Sequence, residues 1–389
     1  MPRFLRTTTV LLLCLFSLSS RFAQAGDDPE YAGRRGSEWA QLLRSDSSPR
    51  KRKAAVVALG QLWKEGKYFQ SLPSISLALQ QDPNAEVRVQ AAIILGQLSK
   101  EDLTRNDSAK PVVSQLVTAL LAEKDSTVRR ETAIALGRFG NLSKPGVLAI
   151  SNTLKDSEPS TRAAAAEALG RIGPDARSSA SSLMPLLTDS DRNVQRLAVF
   201  ALARIAPEDV NSVGASLSEV LKGEKEADMR RELVVALGLL GDHSEAAALA
   251  LTSVLMDTDA EFRREAARSL ARFGLEIQPA AQALLTAFQS DADKNVRIDA
   301  LRALGTGLGE RMQNHISLMT SRLNMEPGSK GDPDFEVRIA ITEELGALGA
   351  AAKVAVPALR RSLRDPQVKV REAAGQAIKK IDAPISKKP

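Results

Sequence analysis

Cysteine, histidine and aromatic residues are scarce in this chain of 389 residues. Cys14 is the one cysteine, and His243 and His315 are the two histidines. A single cysteine near the N-terminus excludes a disulfide and a cysteine metal site from the rest of the chain. Two histidines without an H-x-x-x-H spacing or a His-Glu pair favour no metal centre. Aromatic residues make up 4% of the chain, too few to interleave with the basic residues and stack on bases.

Motifs for phosphate binding and for nucleophilic catalysis are also lacking. The glycine cluster at 305–309 lacks the G-x-x-x-x-G-K spacing and follows a predicted helix, so it is interpreted as a helix end. Serines are plentiful, but the two histidines lie in unrelated parts of the chain. We therefore expect no catalytic residue, no cofactor and no nucleic-acid partner.

The first 25 residues have the pattern of a cleavable secretory signal. Arg3 and Arg6 precede an apolar run at 10–18, and an A-x-A motif ends at Ala25. The run is too short to span a bilayer, and no other run approaches that length. We predict cleavage after Ala25 and export to the periplasm or the medium, with an uncleaved anchor as the alternative. Cleavage would lower the formal charge from +6 to +3, because three arginines leave with the signal.

The stretch from Asp156 to Gly173 shows a pattern that the chain repeats. Asp156 fits a turn, and Pro159 fits the first turn of a helix. An alanine-rich run with one apolar side then indicates an amphipathic helix. Gly170 and Gly173 are expected to end that helix.

Three columns of this pattern keep their register through ten copies, which follow one another at steps of 33 to 41 residues. The first column is Arg52, Arg88, Arg129, Arg162, Gln195, Arg230, Arg263, Arg297, Arg338 and Arg371. Six residues before these lie Asp46, Asp82, Glu123, Asp156, Asp189, Glu224, Asp257, Asp291, Asp332 and Asp365. Seven residues after them lie Leu59, Leu95, Leu136, Leu169, Leu202, Leu237, Leu270, Leu304, Leu345 and Ile378. Segments such as 111–121 add an earlier amphipathic helix to each copy, so stacked helix pairs would share one core.

These residues resemble the HEAT-repeat family, whose helix pairs carry an aspartate in the turn and a Val-Arg dipeptide after it. The dipeptide occurs at residues 87–88, 128–129, 296–297, 337–338 and 370–371. The alanine-rich A-A-x-A-L-G version resembles the PBS-lyase HEAT-like subfamily. The resemblance covers residues 37–382 and implies an all-α, right-handed α-solenoid of about ten HEAT-like helix pairs. A signal peptide (1–25) and an N-terminal linker (26–36) would precede it, and a disordered tail (383–389) would follow.

The acid and arginine columns are expected to hold the stack together. An acid in the turn is positioned to accept hydrogen bonds from the first N–H groups of the second helix. The arginine is positioned to pair with an acid of its own or a neighbouring repeat, which would make a ladder of ion pairs.

Two insertions and two tryptophans depart from the repeat. The insertions lie at 99–110, between repeats, and at 324–333, inside one. Each fits either tolerated loop growth or a partner contact at the edge of a solenoid. Trp39 and Trp63 fit either an apolar cap on the first helix pair or a partner anchor.

A further set of arginines lies one, five or nine residues after the column arginine, so they share one face of the second helix. These candidates for a partner-binding groove are Arg130, Arg138, Arg171, Arg196, Arg204, Arg231, Arg264, Arg268, Arg272 and Arg302. In HEAT-like solenoids the second helices line the concave surface, so the resemblance implies a basic stripe along a groove. Acids beside the stripe leave a second interpretation open, a mixed-charge face that is only solvated. Those acids are Glu131, Glu167, Glu232, Glu265 and Asp299.

The sequence thus predicts a non-catalytic scaffold or adaptor that binds a macromolecule. A protein partner is expected, with an acidic segment as one candidate, and an anionic polysaccharide of the cell envelope is an alternative. The resemblance leaves one more alternative, an accessory or degenerate relative of a HEAT-type enzyme such as a bilin lyase or a hydroxylase. The di-iron hydroxylases of this type carry repeated His-Glu pairs, which this sequence does not have.

Overall fold

The computed structural model describes residues 28–65, 68, 70–98, 109–205, 207–241, 244–273, 278–325 and 331–382. The predicted signal peptide, the predicted tail and His243 lie outside the described residues. So do residues 99–108 of the first insertion and 326–330 of the second. Across the described ranges, no helix is both long enough and apolar enough to cross a membrane.

Helices alternate along the described chain as first and second members of ten pairs. The first helices are α1 (Gly36–Ser45), α3 (Ser71–Gln81), α5 (Ala109–Ala122), α7 (Val147–Thr153), α9 (Ala180–Leu183), α11 (Val210–Gly223), α13 (Glu245–Val254), α15 (Gln278–Ser290), α17 (Ile316–Leu323) and α19 (Val356–Ser362). The second helices are α2 (Pro49–Lys64), α4 (Ala85–Gly96), α6 (Ser126–Arg138), α8 (Pro159–Ile172), α10 (Arg192–Arg204), α12 (Ala227–Leu240), α14 (Ala260–Leu270), α16 (Lys294–Leu308), α18 (Phe335–Ala347) and α20 (Val368–Asp382). This alternation confirms the predicted all-α solenoid of about ten helix pairs.

A short hairpin precedes α1, inside the segment predicted as a linker. Strand β1 (Glu30–Tyr31) pairs antiparallel with β2 (Arg34–Arg35). Ala32 and Gly33 connect the strands with φ of 49° and 78°, the positive values that a tight two-residue hairpin turn requires. The indole N–H of Trp39 donates to the carbonyl of Tyr31 over 2.8 Å and so ties the hairpin to α1.

The described residues form two compact units, one up to residue 115 and one from residue 116 onward, which divide inside α5. In the first unit, α2 packs against both α1 and α4. In the second unit each second helix from α6 to α18 packs against the next second helix, ending at α20. The leucine column lies in the cores of the units, with Leu136, Leu169 and Leu304 fully buried. Ile378, in the last helix, is only partly buried.

Glycines let neighbouring second helices approach closely. A Cβ built on Gly170 would lie 2.7 Å from the Phe200 ring, and one on Gly137 would lie 2.8 Å from the Cα of Ala168. The prediction that Gly170 ends its helix is therefore wrong, because it lies inside α8 at a helix contact. The end predicted at Gly173 is confirmed, since α8 stops at the preceding residue and Gly173 has φ of 75°.

The column arginines bind the acid of the following repeat, which decides between the two partners that the sequence left open. We call each such arginine–acid pair a rung of the ladder. In the rungs named next, Nε and Nη2 of the arginine donate to the two carboxylate oxygens over 2.6–3.0 Å. Six rungs of this kind are Arg52–Asp82, Arg129–Asp156, Arg162–Asp189, Arg263–Asp291, Arg297–Asp332 and Arg338–Asp365. Nη1 of the same arginine donates to its own turn, as from Arg162 to the Asp156 carbonyl over 2.8 Å. Each arginine thus joins two repeats, and hydrogen bonding by Arg162 lowers the pKa of Asp189.

The turn acids do not cap the second helices, contrary to the sequence-based expectation. Asp156 accepts a hydrogen bond from the N–H of Glu158, which lies before α8. The first turns are capped instead by a column four residues before the arginine, which the sequence analysis missed. The members whose side chains accept from helical N–H groups are Asn84, Asp125, Asp191, Asp259 and Asp293.

Gln195 is the exception in the arginine column, and Arg192 makes the ion pair with the next repeat that a column arginine would make. The amide of Gln195 still donates to the Asp189 carbonyl over 2.6 Å, as the column arginines do. Arg192 lies three residues earlier, and its Nη2 is 2.6 Å from a carboxylate oxygen of Glu224 in the next repeat. The ladder therefore continues through this repeat with a displaced guanidinium.

Candidate partner-binding groove

The predicted stripe lies on the second helices of the second unit. Its ten arginines are on α6, α8, α10, α12, α14 and α16, except Arg272, which follows α14. Because these helices pack in sequence, positions four residues apart bring the arginines onto one continuous face. Most of their side chains are about half exposed, as at Arg171, Arg231 and Arg302.

Some members of the stripe pair with acids of their own helix. Arg171 lies 2.7 Å from Glu167, one helical turn earlier. Arg130 lies 2.9 Å from its neighbour Glu131. Exposed pairs of this kind contribute little to stability, about 0–1 kcal/mol, and leave the guanidinium accessible to a partner.

Other members reach across to the next repeat. Arg268 lies 3.0 Å from Asp299, Arg196 lies 3.7 Å from Glu232, and Arg302 lies 3.8 Å from Glu343. These contacts make the stripe a mixed-charge face rather than a purely basic one. The acids that the sequence placed beside the stripe are therefore its ion-pair partners.

Three stripe arginines have other surroundings. Arg204 donates to the carbonyl of Gly170 over 3.3 Å and lies 5.2 Å from the ring centre of Phe200. Arg138 also interacts with a neighbouring group. Arg272 is exposed, and its side chain makes no hydrogen bond or ion pair with any residue that the structure describes.

A shallow groove of about 300 Å³ brings three stripe residues together, between α14, α16 and α18. Arg264, Arg268 and Arg302 line it with Asp299 and Glu343, and Ile298 adds an apolar surface. Asp299 is mostly buried and holds both Arg264 and Arg268. Burial opposes the charge of Arg264, but its hydrogen bonds to Glu261 and Asp299 raise its pKa. The groove therefore presents guanidinium groups that can bind carboxylates of a partner, and carboxylates that can bind its basic groups.

Glu344 is a carboxyl group that sequence reasoning missed. It lies on α18, where the equivalent positions of other repeats carry residues such as Ala168, Ala201 and Ser269. Its carboxylate occupies the space in front of Gly305, because a Cβ built there would meet Glu344 Oε2 at 2.2 Å. Burial raises the pKa of Glu344, although Arg302 acts in the opposite direction. The signal in the sequence was one acid in a column of small residues.

The described residues contain no group of three or more histidine, cysteine, aspartate or glutamate side chains that could hold a metal ion. In the first repeat, Trp63 is buried in the core of its unit, and Trp39 holds the hairpin. Both tryptophans thus have contacts within their own unit.

Comparison with known proteins supports the repeat assignment. A family model described as HEAT repeats matches residues 72–150, 113–203 and 214–305, which together are more than half of the chain. Among curated proteins, no significant match was found. A crystal structure described as an engineered protein is similar in fold, with a TM-score of 0.55 and 21% identity, over 90% of this chain and 99% of the other. By these matches and by its ten helix pairs, the chain belongs to the HEAT-repeat family.

Proposed function

We propose that this protein is a non-catalytic scaffold whose second-helix face binds a protein partner. The observation that carries the proposal is the groove between α14, α16 and α18, where Arg264, Arg268 and Arg302 are held beside acids. The ladder of column arginines uses the turns, so it leaves this face free for binding.

The mixed charge of the groove favours a protein over an anionic polysaccharide. A polysaccharide with repeated anionic groups would meet Glu343 and Glu336 as well as the arginines. A folded protein or a peptide segment can place carboxylates on the arginines and basic or apolar groups elsewhere. Arg302 and Glu343, which lie 3.8 Å apart, can separate at little cost because both are more than half exposed.

The proposal also includes export and the absence of catalysis. The signal-like residues 1–25 support cleavage after Ala25 and a role outside the cytoplasm. The alanine-rich second helices, such as α8 with its run from Ala163 to Ala166, support membership of the PBS-lyase HEAT-like subfamily. The scarcity of histidine and cysteine supports a binding role without metal or cofactor.

A capture experiment tests the binding role. The mature chain, residues 26–389, is immobilised and exposed to envelope extract at low and moderate salt. The variant Arg264→Glu/Arg268→Glu/Arg302→Glu should lose a partner that the wild type retains, because like charges would then face the partner's carboxylates. A milder variant with glutamine at the same positions keeps the test valid if charge reversal unfolds the protein.

A matched control carries the same change in charge at exposed lysines outside the groove, Lys64→Glu/Lys124→Glu/Lys222→Glu. It should capture the partner as well as the wild type does. A partner that is retained by both groove variants would contradict the proposal, and so would one that the control loses to the same extent. Mass spectrometry of the exported protein tests cleavage after Ala25 separately.

A further inference from the structure

A sizeable cleft lies away from the stripe, between the ends of two first helices. It has a volume of about 670 Å³ and separates the end of α17 from the end of α19. Leu323, Asn324 and Met325 form one wall. Arg360, Arg361 and Arg364 stand on the other. A volume of this size is within the range of clefts that hold a ligand of a few residues.

The three arginines of this cleft are exposed and have no counter-charge among the residues that the structure describes. None of Arg360, Arg361 and Arg364 makes a side-chain hydrogen bond or ion pair within the described chain. Arg360 and Arg361 lie in the last turn of α19, where a positive charge suits the helix dipole. Arg364 lies beyond that helix. The dipole of one helix end therefore does not explain a cluster of three cations.

The acid that lines this cleft is already engaged. Asp365 lines the cleft, but its side chain is 2% exposed and both of its oxygens accept from Arg338. Because that carboxylate is fully used by the ladder, it does not neutralise the cleft. The three guanidinium groups therefore remain available to a ligand.

The equivalent cleft three repeats upstream carries Thr252, Ser253 and Met256 at the positions of Arg360, Arg361 and Arg364. Between the ends of α11 and α13 lies a smaller cleft of about 260 Å³. Its cations are paired, Lys222 with Glu219 over 2.9 Å and Arg230 with Asp257. The last cleft thus differs from its counterpart in both size and uncompensated charge.

The other wall combines the apolar Leu323 and Met325 with the polar Thr320 and Asn324. Leu323 is buried, and Met325 is 45% exposed at the rim. Pro366 continues the apolar surface beside Arg364. An exposed methionine next to three arginines suits a ligand that carries carboxylates together with an apolar side chain.

From this geometry we propose that the cleft between α17 and α19 is a second binding site, which takes an acidic peptide segment of a partner protein. The carboxylates of the segment pair with Arg360, Arg361 and Arg364, and an apolar side chain of the segment packs on Met325. This site is separate from the stripe groove and does not depend on the function proposed for it.

Fluorescence anisotropy with a labelled peptide, Asp-Glu-Leu-Glu-Asp-Glu, tests the site on the mature chain at about 50 mM salt, where charges are weakly screened. The wild type should bind, and Arg360→Gln/Arg361→Gln/Arg364→Gln should weaken binding by about tenfold or more. The groove variant Arg264→Gln/Arg268→Gln/Arg302→Gln is the matched control and should bind as the wild type does. A peptide with Asn and Gln in place of its acids should not bind. Thermal unfolding of each variant verifies that it is folded.

Three results would overturn the proposal. The first is no binding of the acidic peptide by the wild type. The second is a loss of binding in the groove variant with none in the cleft variant, which would move the peptide to the stripe. The third is tighter binding of a sulfated hexasaccharide, lost in the cleft variant, which would make the occupant a polysaccharide. None of these results bears on capture of the partner by the stripe groove.

Discussion

Replacement of Arg338 by methionine isolates the contribution of one rung of the ladder. The guanidinium of Arg338 donates to both oxygens of Asp365 over 2.8 and 3.0 Å, and also to the Asp332 carbonyl. Arg338→Met keeps much of the aliphatic stem and removes all of these donors. It leaves a carboxylate that is almost fully buried without its partner.

The expected cost follows from burial. The side chains of Arg338 and Asp365 are 3% and 2% exposed, so water cannot replace the lost donor. Removal of one partner from a buried pair costs about 3–5 kcal/mol, whereas an exposed pair contributes about 0–1 kcal/mol. In a repeat protein the loss falls on the neighbouring interface, so the last helix pair, α19 and α20, should open more readily.

Native-state hydrogen exchange measures this opening directly. With about 1.4 kcal/mol for each factor of ten, amides of α20 should exchange roughly a hundred to a few thousand times faster in Arg338→Met. Arg360→Met is the matched control, because its guanidinium is exposed and unpaired in the described chain, and exchange should be almost unchanged. Exchange in α20 that differs by less than tenfold between Arg338→Met and the wild type would refute the reasoning.

Three further predictions concern single positions. Burial raises the pKa of Glu344, so the native state holds its proton more tightly than the unfolded chain and stability falls as pH rises through the native pKa. Glu344→Ala should therefore raise stability at pH 7 by about 0.5–2 kcal/mol and flatten that slope in urea unfolding at several pH values. Arg192→Ala should cost about 1 kcal/mol in the same assay, because Glu224 loses the guanidinium that replaces the column rung, and no loss would contradict the substitute rung. Gly170→Val should cost about 1–3 kcal/mol in thermal unfolding, since its Cβ would meet the Phe200 ring, and an unchanged midpoint would show that the helices separate freely.

The repeat architecture was predictable because it rests on local, repeated signals. The spacing of the columns predicted the ten helix pairs, and the leucine column predicted buried positions such as Leu169. What spacing cannot supply is the direction of a contact between repeats. Arg162 lies six residues after Asp156 and 27 residues before Asp189, so its side chain could reach either acid. In the structure it donates to the carboxylate of Asp189 and to the backbone carbonyl of Asp156.

The sequence predicted the helical face of the stripe and left its charge open between basic and mixed, without the pairing of individual residues. Helical spacing placed Arg264 and Arg268 on one face, yet their shared partner Asp299 lies in the next repeat and emerges only from the stacking of α14 on α16. The ion pair of Arg192 was missed for a related reason. The column spacing shows only that Gln195 lacks the guanidinium of the column, and not that a residue three positions earlier replaces it. Arg360, Arg361 and Arg364 have no partner among the described residues and lie outside the columns, so only the packing of α17 and α19 reveals the cleft that they line.

Site-specific photocrosslinking tests most directly whether a partner occupies the second-helix face. A photoreactive side chain placed at Ile298, in the groove, should form an adduct with the captured partner. The same group at Leu148, which is 74% exposed on the first helix α7, should form none. Adducts from Leu148 without any from Ile298 would contradict the proposal that the protein binds its partner through the second-helix groove.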